Sequence, residues 1–184
     1  MAALLQQFDE SVLFFIREQL RNPVMDRFMV FVTSLGNAGF LWIFIAFLLL
    51  CRKRYQKCGI ALICALSLTM LISDELLKPL VGRLRPNMRF PELPLLIGQI
   101  RSYSFPSGHS SAAFASATVL FSYYKHAGML AYVAAALIAY SRLYLFVHYP
   151  TDVLAGILLG SVIAFLIVKA INRLYSTCLE GTVS

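Results

Sequence analysis

The stretch FMVFVTSLGNAGFLWIFIAFLLLC, residues 28–51, runs for 24 residues without a charged side chain. A helix needs about 20 mostly apolar residues to cross the hydrocarbon core of a bilayer. We therefore expect this stretch to span a membrane between Arg27 and Arg52. Gly36 and Gly39 lie near its middle, where we predict that the helix bends or packs closely against a neighbour.

Four further windows are similarly apolar. They are residues 58–77, 107–124, 127–147 and 152–169. Hydrophobic residues make up 59% of the 184 residues and charged residues 14%, against about 45–50% apolar and 25% charged in soluble domains. The chain is therefore predicted to be an all-α, polytopic membrane helical bundle of about five to six transmembrane helices, in a single domain over residues 1–184.

Residues 1–22 follow a different pattern, because their apolar side chains fall on one helical stripe. The stripe consists of Leu4, Leu5, Phe8, Val12, Phe15, Ile16 and Leu20. Charged residues lie largely off this stripe, as in an amphipathic helix that rests on a membrane surface. We predict such an interfacial helix here, ending at Asn22-Pro23. A role in substrate access is the alternative.

The net charge of +7, from 16 Lys+Arg and 9 Asp+Glu, indicates an anionic partner. Lipid headgroups and phosphates fit this charge. Nucleic acid does not, because the basic residues lie beside apolar runs instead of along a solvated stripe. No oligomeric state is predicted. The four cysteines have no CxxC or Cys/His ligand spacing and are predicted to be small core residues. They are Cys51, Cys58, Cys64 and Cys178.

The order of the windows decides which loops share a side of the membrane. Counting alternately, the loop 78–106 and the turn 148–151 lie on one side, together with the amphipathic segment. The other side holds the loop 52–57 and the Lys125-His126 turn, whose basic residues make that side cytoplasmic by the positive-inside rule. The loop 78–106 is also basic, and its cations are discounted from this rule if they serve chemistry. The first side is then the outer face.

Six candidate functional residues lie at the outer face when the sides of the membrane are assigned alternately. They are Lys78, Arg85, His109, Arg142, His148 and Asp152. Charged groups at a membrane edge are costly and are functional by default. Lys78 and Arg85 are predicted to hold phosphate oxygens, with a basic cluster that snorkels toward anionic lipid as the alternative. Arg142 needs an anion, either a substrate or an internal carboxylate such as Asp74 or Glu75.

The segment FPSGH, residues 105–109, precedes an apolar helix. Ser107 is a predicted N-cap, and Gly108 allows a ligand to approach the backbone. Free N–H groups at a helix start form a phosphate site. His148 and Asp152 are four residues apart, so the carboxylate can orient the imidazole. A purely structural His–Asp pair is the alternative.

Two histidines can divide the steps of phosphoryl transfer. One attacks phosphorus or activates water, and the other protonates the departing oxygen. The predicted cations would neutralise the phosphate oxygens. No cluster of Asp, Glu and His with metal-ligand spacing lies nearby, so neither a metal nor another cofactor is expected. Gly156 and Gly160 form a GxxxG pair, which indicates close helix packing.

Three motifs, in this order and spacing, resemble the signature motifs of the type 2 phosphatidic acid phosphatase (PAP2) superfamily. They are Lys78-x6-Arg85-Pro86, Pro106-Ser107-Gly108-His109 and Ser141-Arg142-x5-His148-x3-Asp152, within residues 70–170. The resemblance implies that His148 is a nucleophile that forms a phosphohistidine, that Asp152 orients it and that His109 is the general acid. It also implies a set of phosphate-binding residues: Lys78, Arg85, Ser107, Gly108 and Arg142.

The small bacterial membrane members of this superfamily dephosphorylate undecaprenyl diphosphate, phosphatidylglycerophosphate, phosphatidate or lipid A. By this resemblance we expect a lipid phosphatase of the plasma (inner) membrane with its site on the outer face, acting on undecaprenyl diphosphate. Phosphatidylglycerophosphate and phosphatidate are the alternative substrates. A different class also remains open, namely a non-catalytic binder or transporter of anionic lipids whose histidines sense pH.

Overall fold

Helices dominate the part of the chain that the computed structural model describes, which is residues 2–180 with the side chains of residues 3–177. In chain order they are α1 (Ala2–Phe15), α2 (Pro23–Leu35), α3 (Phe40–Leu50), α4 (Gln56–Met70), α5 (Lys78–Val81), α6 (Pro86–Arg89), α7 (Gly108–Tyr123), α8 (Lys125–Tyr144) and α9 (Pro150–Glu180). Short π-helical segments continue α1 as Ile16–Leu20 and α4 as Leu71–Leu77. No β-strand occurs within residues 2–180, and the predicted all-α class is confirmed.

Four candidate spans can be identified by length and apolar composition. Three are the segments Lys53–Arg89, Lys125–Tyr144 and Pro150–Thr177, of which the first also includes the non-helical residues 82–85. The fourth is the pair Pro23–Leu35 and Asn37–Leu50, which is bent by 46°. The predicted bend near the middle of residues 28–51 is therefore confirmed.

Helix α7, predicted as a span over 107–124, begins at Gly108 and ends at Tyr123. Its 16 residues rise about 24 Å. It packs against α4, α8 and α9, and its buried side chains are mostly alanine and serine. Small side chains let neighbouring backbones approach closely in a membrane bundle. Four of the five predicted windows thus contain candidate spans by length and apolar composition, and a crossing by α7 stays a prediction.

The last two spans differ from their predicted limits for local reasons. Helix α8 ends at Tyr144, before the predicted 147, because the chain turns through Phe146, whose φ is 61°. Helix α9 continues past the predicted 169, because Lys169 and Arg173 are exposed on its surface and do not end it.

The cysteines are core residues only in part. Cys58 is buried, as predicted, whereas Cys51 and Cys64 are exposed free thiols. The core prediction is wrong for these two, because an outward apolar surface in this bundle accepts a small thiol as readily as the core does. The side chain of Cys178 lies outside the described residues.

Gly156 and Gly160 bring the start of α9 against the start of α7. A Cβ atom at position 160 would lie 2.1 Å from the backbone oxygen of Ser111, and one at position 156 would lie 2.6 Å from that of Ser107. Any larger residue would push the two helices apart. The predicted packing role is confirmed, and it places Asp152, in the first turn of α9, beside the N-terminus of α7.

Helix α1 presents most of its apolar stripe outward and a carboxylate inward. Leu4, Phe8 and Phe15 are 69%, 55% and 59% exposed, whereas Asp9 is completely buried. This is the reverse of a helix on a soluble protein, and it matches a helix whose apolar face rests in a membrane. Ile16, predicted on the stripe, is buried against the rest of the chain instead.

Candidate active site

A cavity of about 220 Å³ opens at the ends of the central helices, beside the break between α2 and α3. Six of the predicted site residues line it: Lys78, Arg85, Gly108, His109, Arg142 and His148. The other two, Ser107 and Asp152, are completely buried next to this lining. The structure thus brings the three motifs together at one cavity.

Helix ends hold these side chains in place. His109 is the second residue of α7, and Arg142 lies in the last turn of α8. Lys78 begins α5, and Arg85 immediately precedes α6. Helix ends also carry backbone groups without intrahelical partners, so a polar ligand at this position meets both side chains and backbone.

His148 is buried, and its two ring nitrogens have different partners. Nε2 lies 2.8 Å from Nη1 of Arg85. A guanidinium can only donate, so Nε2 accepts and the ring proton is on Nδ1. Nδ1 lies 3.4 Å from Oγ of Ser104 and 3.6 Å from Oδ2 of Asp152.

The charge state of His148 follows from the same surroundings. Burial lowers the pKa of His148 to about 3, against the opposing effect of Asp152. The charges of Arg85 and Arg142 contribute to this lowering. The ring is therefore neutral near neutral pH, and Nε2 keeps the lone pair that a nucleophile needs.

The Asp152 carboxylate is buried and accepts hydrogen bonds on both oxygens. Oδ2 accepts from the hydroxyl of Ser104, and also from the backbone N–H of Tyr149 at 2.9 Å. Oδ1 accepts from Nη1 of Arg83 at 2.7 Å. Neither Ser104 nor Arg83 is among the predicted site residues. Each lies two residues before a predicted motif residue, Pro106 or Arg85, and this proximity is the signal that could have found them.

Arg83 connects α1 to the start of α9 through hydrogen bonds and ion pairs. Its Nη2 donates to Oδ2 of Asp9 at 2.6 Å and to Oε1 of Gln6 at 2.8 Å. Its Nη1 donates to Oγ1 of Thr151 at 2.7 Å as well as to Asp152. Asp9 also accepts the backbone N–H of Thr151 at 3.0 Å. A buried ion-pair network thus attaches the amphipathic helix to the carboxylate behind the histidine.

The two arginines at the cavity have no carboxylate partner. Arg85 donates to the carbonyl oxygens of Ser102 and Val147 at 2.7 and 2.9 Å. Arg142 donates from Nη1 to the hydroxyl of Thr33 at 2.5 Å, and its Nε has no hydrogen-bond partner. Arg85 and Arg142 are only 3% and 2% exposed, and neither forms an ion pair within the described part of the chain. Buried cations without an anion are unfavourable, so the cavity is suited to bind one.

Lys78 differs from the arginines because it has a carboxylate partner. Its Nζ lies 2.5 Å from Oδ1 of Asp74. Asp74 therefore compensates Lys78, and the alternative in which it compensates Arg142 does not occur. A Cβ atom at Gly108 would lie 3.2 Å from the same Oδ1. The glycine thus leaves room for the ion pair at the start of α7.

Ser107 caps α7, as predicted. Its hydroxyl accepts the backbone N–H of Ser110 at 3.4 Å. Its own N–H donates to the carbonyl oxygen of Asp152 at 3.0 Å. Both groups are engaged within the protein and support the start of α7, and Ser107 is not among the residues that line the cavity.

Comparison with known proteins gives a consistent set of relatives. The model of the PAP2 superfamily matches residues 59–176. The chain is 38% identical to an undecaprenyl-diphosphatase from Sulfolobus acidocaldarius over 142 residues, which cover 77% of this chain and 68% of that protein. It is 33% identical to phosphatidylglycerophosphatase B from Bacillus subtilis over 80% of this chain and 76% of that protein.

A solved structure supports the same likeness. The crystal structure of a transmembrane PAP2-type phosphatidylglycerolphosphate phosphatase from Bacillus subtilis matches with a TM-score of 0.76 at 29% identity. The match covers 92% of this chain and 87% of that structure.

The network around Arg83 predicts unequal effects of two neighbouring substitutions. Asp9→Ala removes one of the two buried carboxylate partners of Arg83 and should destabilise the folded state by about 1–3 kcal/mol. Glu10→Ala is the matched control, because Glu10 pairs with Arg89, whose side chain is 52% exposed, and its loss should change stability by less than about 1 kcal/mol. Denaturant unfolding of the detergent-solubilised protein measures both. Equal losses for the two variants would contradict the buried network.

Proposed function

The chain belongs to the PAP2 superfamily and is a membrane-bound phosphatase, and from this premise we propose that it hydrolyses a lipid diphosphate through a phosphohistidine on His148. The observation that carries the proposal is the cavity itself. There a neutral histidine stands between the buried carboxylate of Asp152 and two buried arginines that lack an anion. A phosphate group complements this arrangement in charge and reaches the nucleophile at the same time.

The first step transfers the phosphoryl group to His148. Nε2 attacks phosphorus, and the bond between phosphorus and the leaving oxygen breaks. His109 gives a proton to the leaving oxygen. Nδ1 of His148 keeps its proton, and the positive charge on the ring is stabilised by Asp152, with Ser104 placed between them.

The second step releases inorganic phosphate. His109, now neutral, takes a proton from a water molecule as the water oxygen attacks phosphorus. The bond between phosphorus and Nε2 breaks, and the electron pair returns to His148. Both histidines are then in their starting states, which microscopic reversibility requires of an acid that also serves as a base.

The cations stabilise the charge that spreads over the phosphate oxygens in both steps. Arg85 and Arg142 are placed to do so as planar donors and Lys78 as a point charge. The backbone of Gly108 and His109 opens α7, where N–H groups favour an anion. The described residues offer no group of three His, Cys, Asp or Glu side chains that could hold a metal ion. We assign the charge stabilisation to Lys78, Arg85 and Arg142, because all three line the cavity.

The relatives support undecaprenyl diphosphate as the substrate. The protein from Sulfolobus acidocaldarius with 38% identity is an undecaprenyl-diphosphatase, and the reaction would yield undecaprenyl phosphate and inorganic phosphate. Phosphatidylglycerophosphate is the second candidate, because the 33% identical protein from Bacillus subtilis acts on it by name. Phosphatidate shares the same phosphate chemistry.

The distribution of basic residues supports an outward-facing site. The loop 52–57 and the Lys125-His126 turn lie at the ends of the spans opposite to those that carry the cavity, and they are short and basic. Short basic loops stay on the cytoplasmic side. The cavity would then face the outside or the periplasm.

Substitution of His148 tests the proposed function. His148→Ala should lower phosphate release from undecaprenyl diphosphate in detergent by at least about 1,000-fold, because the nucleophile is lost. His126→Ala is the matched control, because His126 is exposed at the other end of α8 and should leave the rate unchanged. Activity of His148→Ala near that of the wild type would exclude the phosphohistidine. Lipid binding by a wild type that releases no phosphate from any lipid of a diphosphate and monophosphate panel would favour a non-catalytic binder or transporter.

Chelation tests the assignment of charge stabilisation to protein cations. The wild-type protein, dialysed against EDTA and assayed in its presence, should keep its full rate of phosphate release. Loss of activity with EDTA and recovery on addition of Mg²⁺ would show that a metal ion carries part of the phosphate charge.

Protease protection tests the orientation. An epitope tag with a protease site, fused after Ser184, should be protected in right-side-out vesicles and cleaved once detergent opens them. The reason is that α9 carries the chain from the cavity side to the basic side. Cleavage in sealed vesicles would reverse the proposed orientation.

A further inference from the structure

The break in the first span forms one wall of the cavity. Gly36, Ala38 and Gly39 line it, and the backbone of Ala38 and Gly39 is left-handed, with φ of 49° and 68°. The break lies outside residues 59–176, the part that the superfamily model matches. It therefore adds to the cavity a group of contacts that the three motifs do not contain.

Two of these contacts hold the ring of His109. Nε2–H of His109 donates to Oδ1 of Asn37 at 3.1 Å. Gly36 lies against the same ring, because a Cβ atom there would be 2.7 Å from Cδ2 of His109. A third contact starts one turn earlier, where the hydroxyl of Thr33 accepts from Nη1 of Arg142 at 2.5 Å. The break thus touches the side chains of two different motifs.

We propose that Asn37 is the positioning residue of the general acid His109. The inference rests on the proposed function, in which His109 protonates the leaving oxygen. Because Oδ1 of Asn37 holds Nε2–H, the proton that is transferred is the one on Nδ1. In the first step the Nδ1–H bond breaks and a bond from hydrogen to the leaving oxygen forms. Nε2–H and its hydrogen bond stay in place, and the ring becomes neutral.

Each of the two histidines has a hydrogen-bond or ion-pair partner that favours the charge change it undergoes in the first step. His148 becomes positively charged when it attacks, and the carboxylate of Asp152 stabilises that charge. His109 must give up a proton, and the neutral amide of Asn37 orients its ring without stabilising the charged form as a carboxylate would. An amide at this position therefore keeps His109 a stronger acid.

Cations outnumber carboxylates around His109 in the cavity. The charged and titratable groups that share the cavity lining with it are Lys78, Arg85, Arg142, His148 and Asp74. Asp74 is paired with Lys78, so the remaining field favours release of the proton from His109. A new negative charge at position 37 would act against this field.

Two substrates with different leaving groups separate proton donation from the other parts of the reaction. The leaving group of dioctanoyl phosphatidate is an alcohol, which must be protonated as it departs. The leaving group of p-nitrophenyl phosphate is 4-nitrophenolate, which departs without protonation. The two substrates are compared by kcat/KM. When departure of the leaving group is irreversible, kcat/KM reports only on substrate binding and on the steps up to that departure, and not on hydrolysis of the phosphohistidine. Asn37→Ala should lower kcat/KM for phosphatidate by about 10-fold or more and change that for p-nitrophenyl phosphate by less than about 3-fold. His109→Ala should show the same contrast with a larger loss.

A second variant reports on the acid directly. Asn37→Asp keeps an acceptor for Nε2–H and adds a negative charge, so it should shift the alkaline limb of the pH profile of kcat/KM to higher pH. A role limited to packing would leave this limb unmoved. Ser34→Ala is the matched control, because Ser34 is exposed and its hydroxyl donates to the carbonyl oxygen of Phe31 in its own helix. This variant should match the wild type in every assay.

The outcomes separate this inference from the proposed function. Equal losses on both substrates for Asn37→Ala, no loss on phosphatidate, or an unmoved alkaline limb for Asn37→Asp would each overturn the role of Asn37. A wild-type protein that hydrolyses neither phosphate ester nor any lipid diphosphate would overturn the proposed function instead.

Discussion

The buried carboxylate of Asp152 is the point on which the rest of the site depends. It accepts hydrogen bonds from Arg83 and Ser104 and faces Nδ1 of His148. These groups come from the loop before α6, the loop before α7 and the turn after α8. Arg83 extends the network to Asp9, so α1 is held by the same interaction. A buried carboxylate without such donors is strongly unfavourable, and four segments of the chain are therefore fixed together at the start of α9.

Charge is compensated on one side of His148 and uncompensated on the other. On the side of Asp152, Arg83 meets two buried carboxylates. On the cavity side, Arg85 and Arg142 have only neutral partners. The cost of burying these two guanidinium groups is offset when an anion binds, so the same electrostatics that weaken the empty site create its affinity for phosphate. The histidine is neutral because the compensated side does not outweigh burial and the nearby cations.

Packing supplies the geometry that the charges need. Helix α7 lies at the centre of the bundle with mostly alanine and serine in its buried positions, and Gly156 and Gly160 of α9 meet its backbone directly. This close approach sets the distance between the first turn of α7 and the first turn of α9. His109 and Asp152 are thereby held on either side of the cavity edge by helices that cannot separate without losing contacts along both.

The residues that line the cavity were easier to predict than the residues that hold them. Lys78 and Arg142 border or interrupt apolar windows, where a charge is unusual and indicates a function. Asp9, Ser104 and Asn37 stand in an amphipathic helix, a loop and a turn, where polar residues are ordinary. Their importance comes from partners far along the chain, as with the pair of Asp9 and Arg83, which are 74 residues apart.

By itself the sequence determined that the chain is a helical membrane protein and at which ends of its spans the site residues lie. Both follow from local runs of residues, because bilayer thickness and helix rise set how long an apolar run must be to cross the membrane. Only the tertiary structure decided which nitrogen of His148 carries the proton, which arginines lack a carboxylate and which residue holds His109. Each of these depends on distances between side chains from separate helices, and such distances arise only when the helices pack.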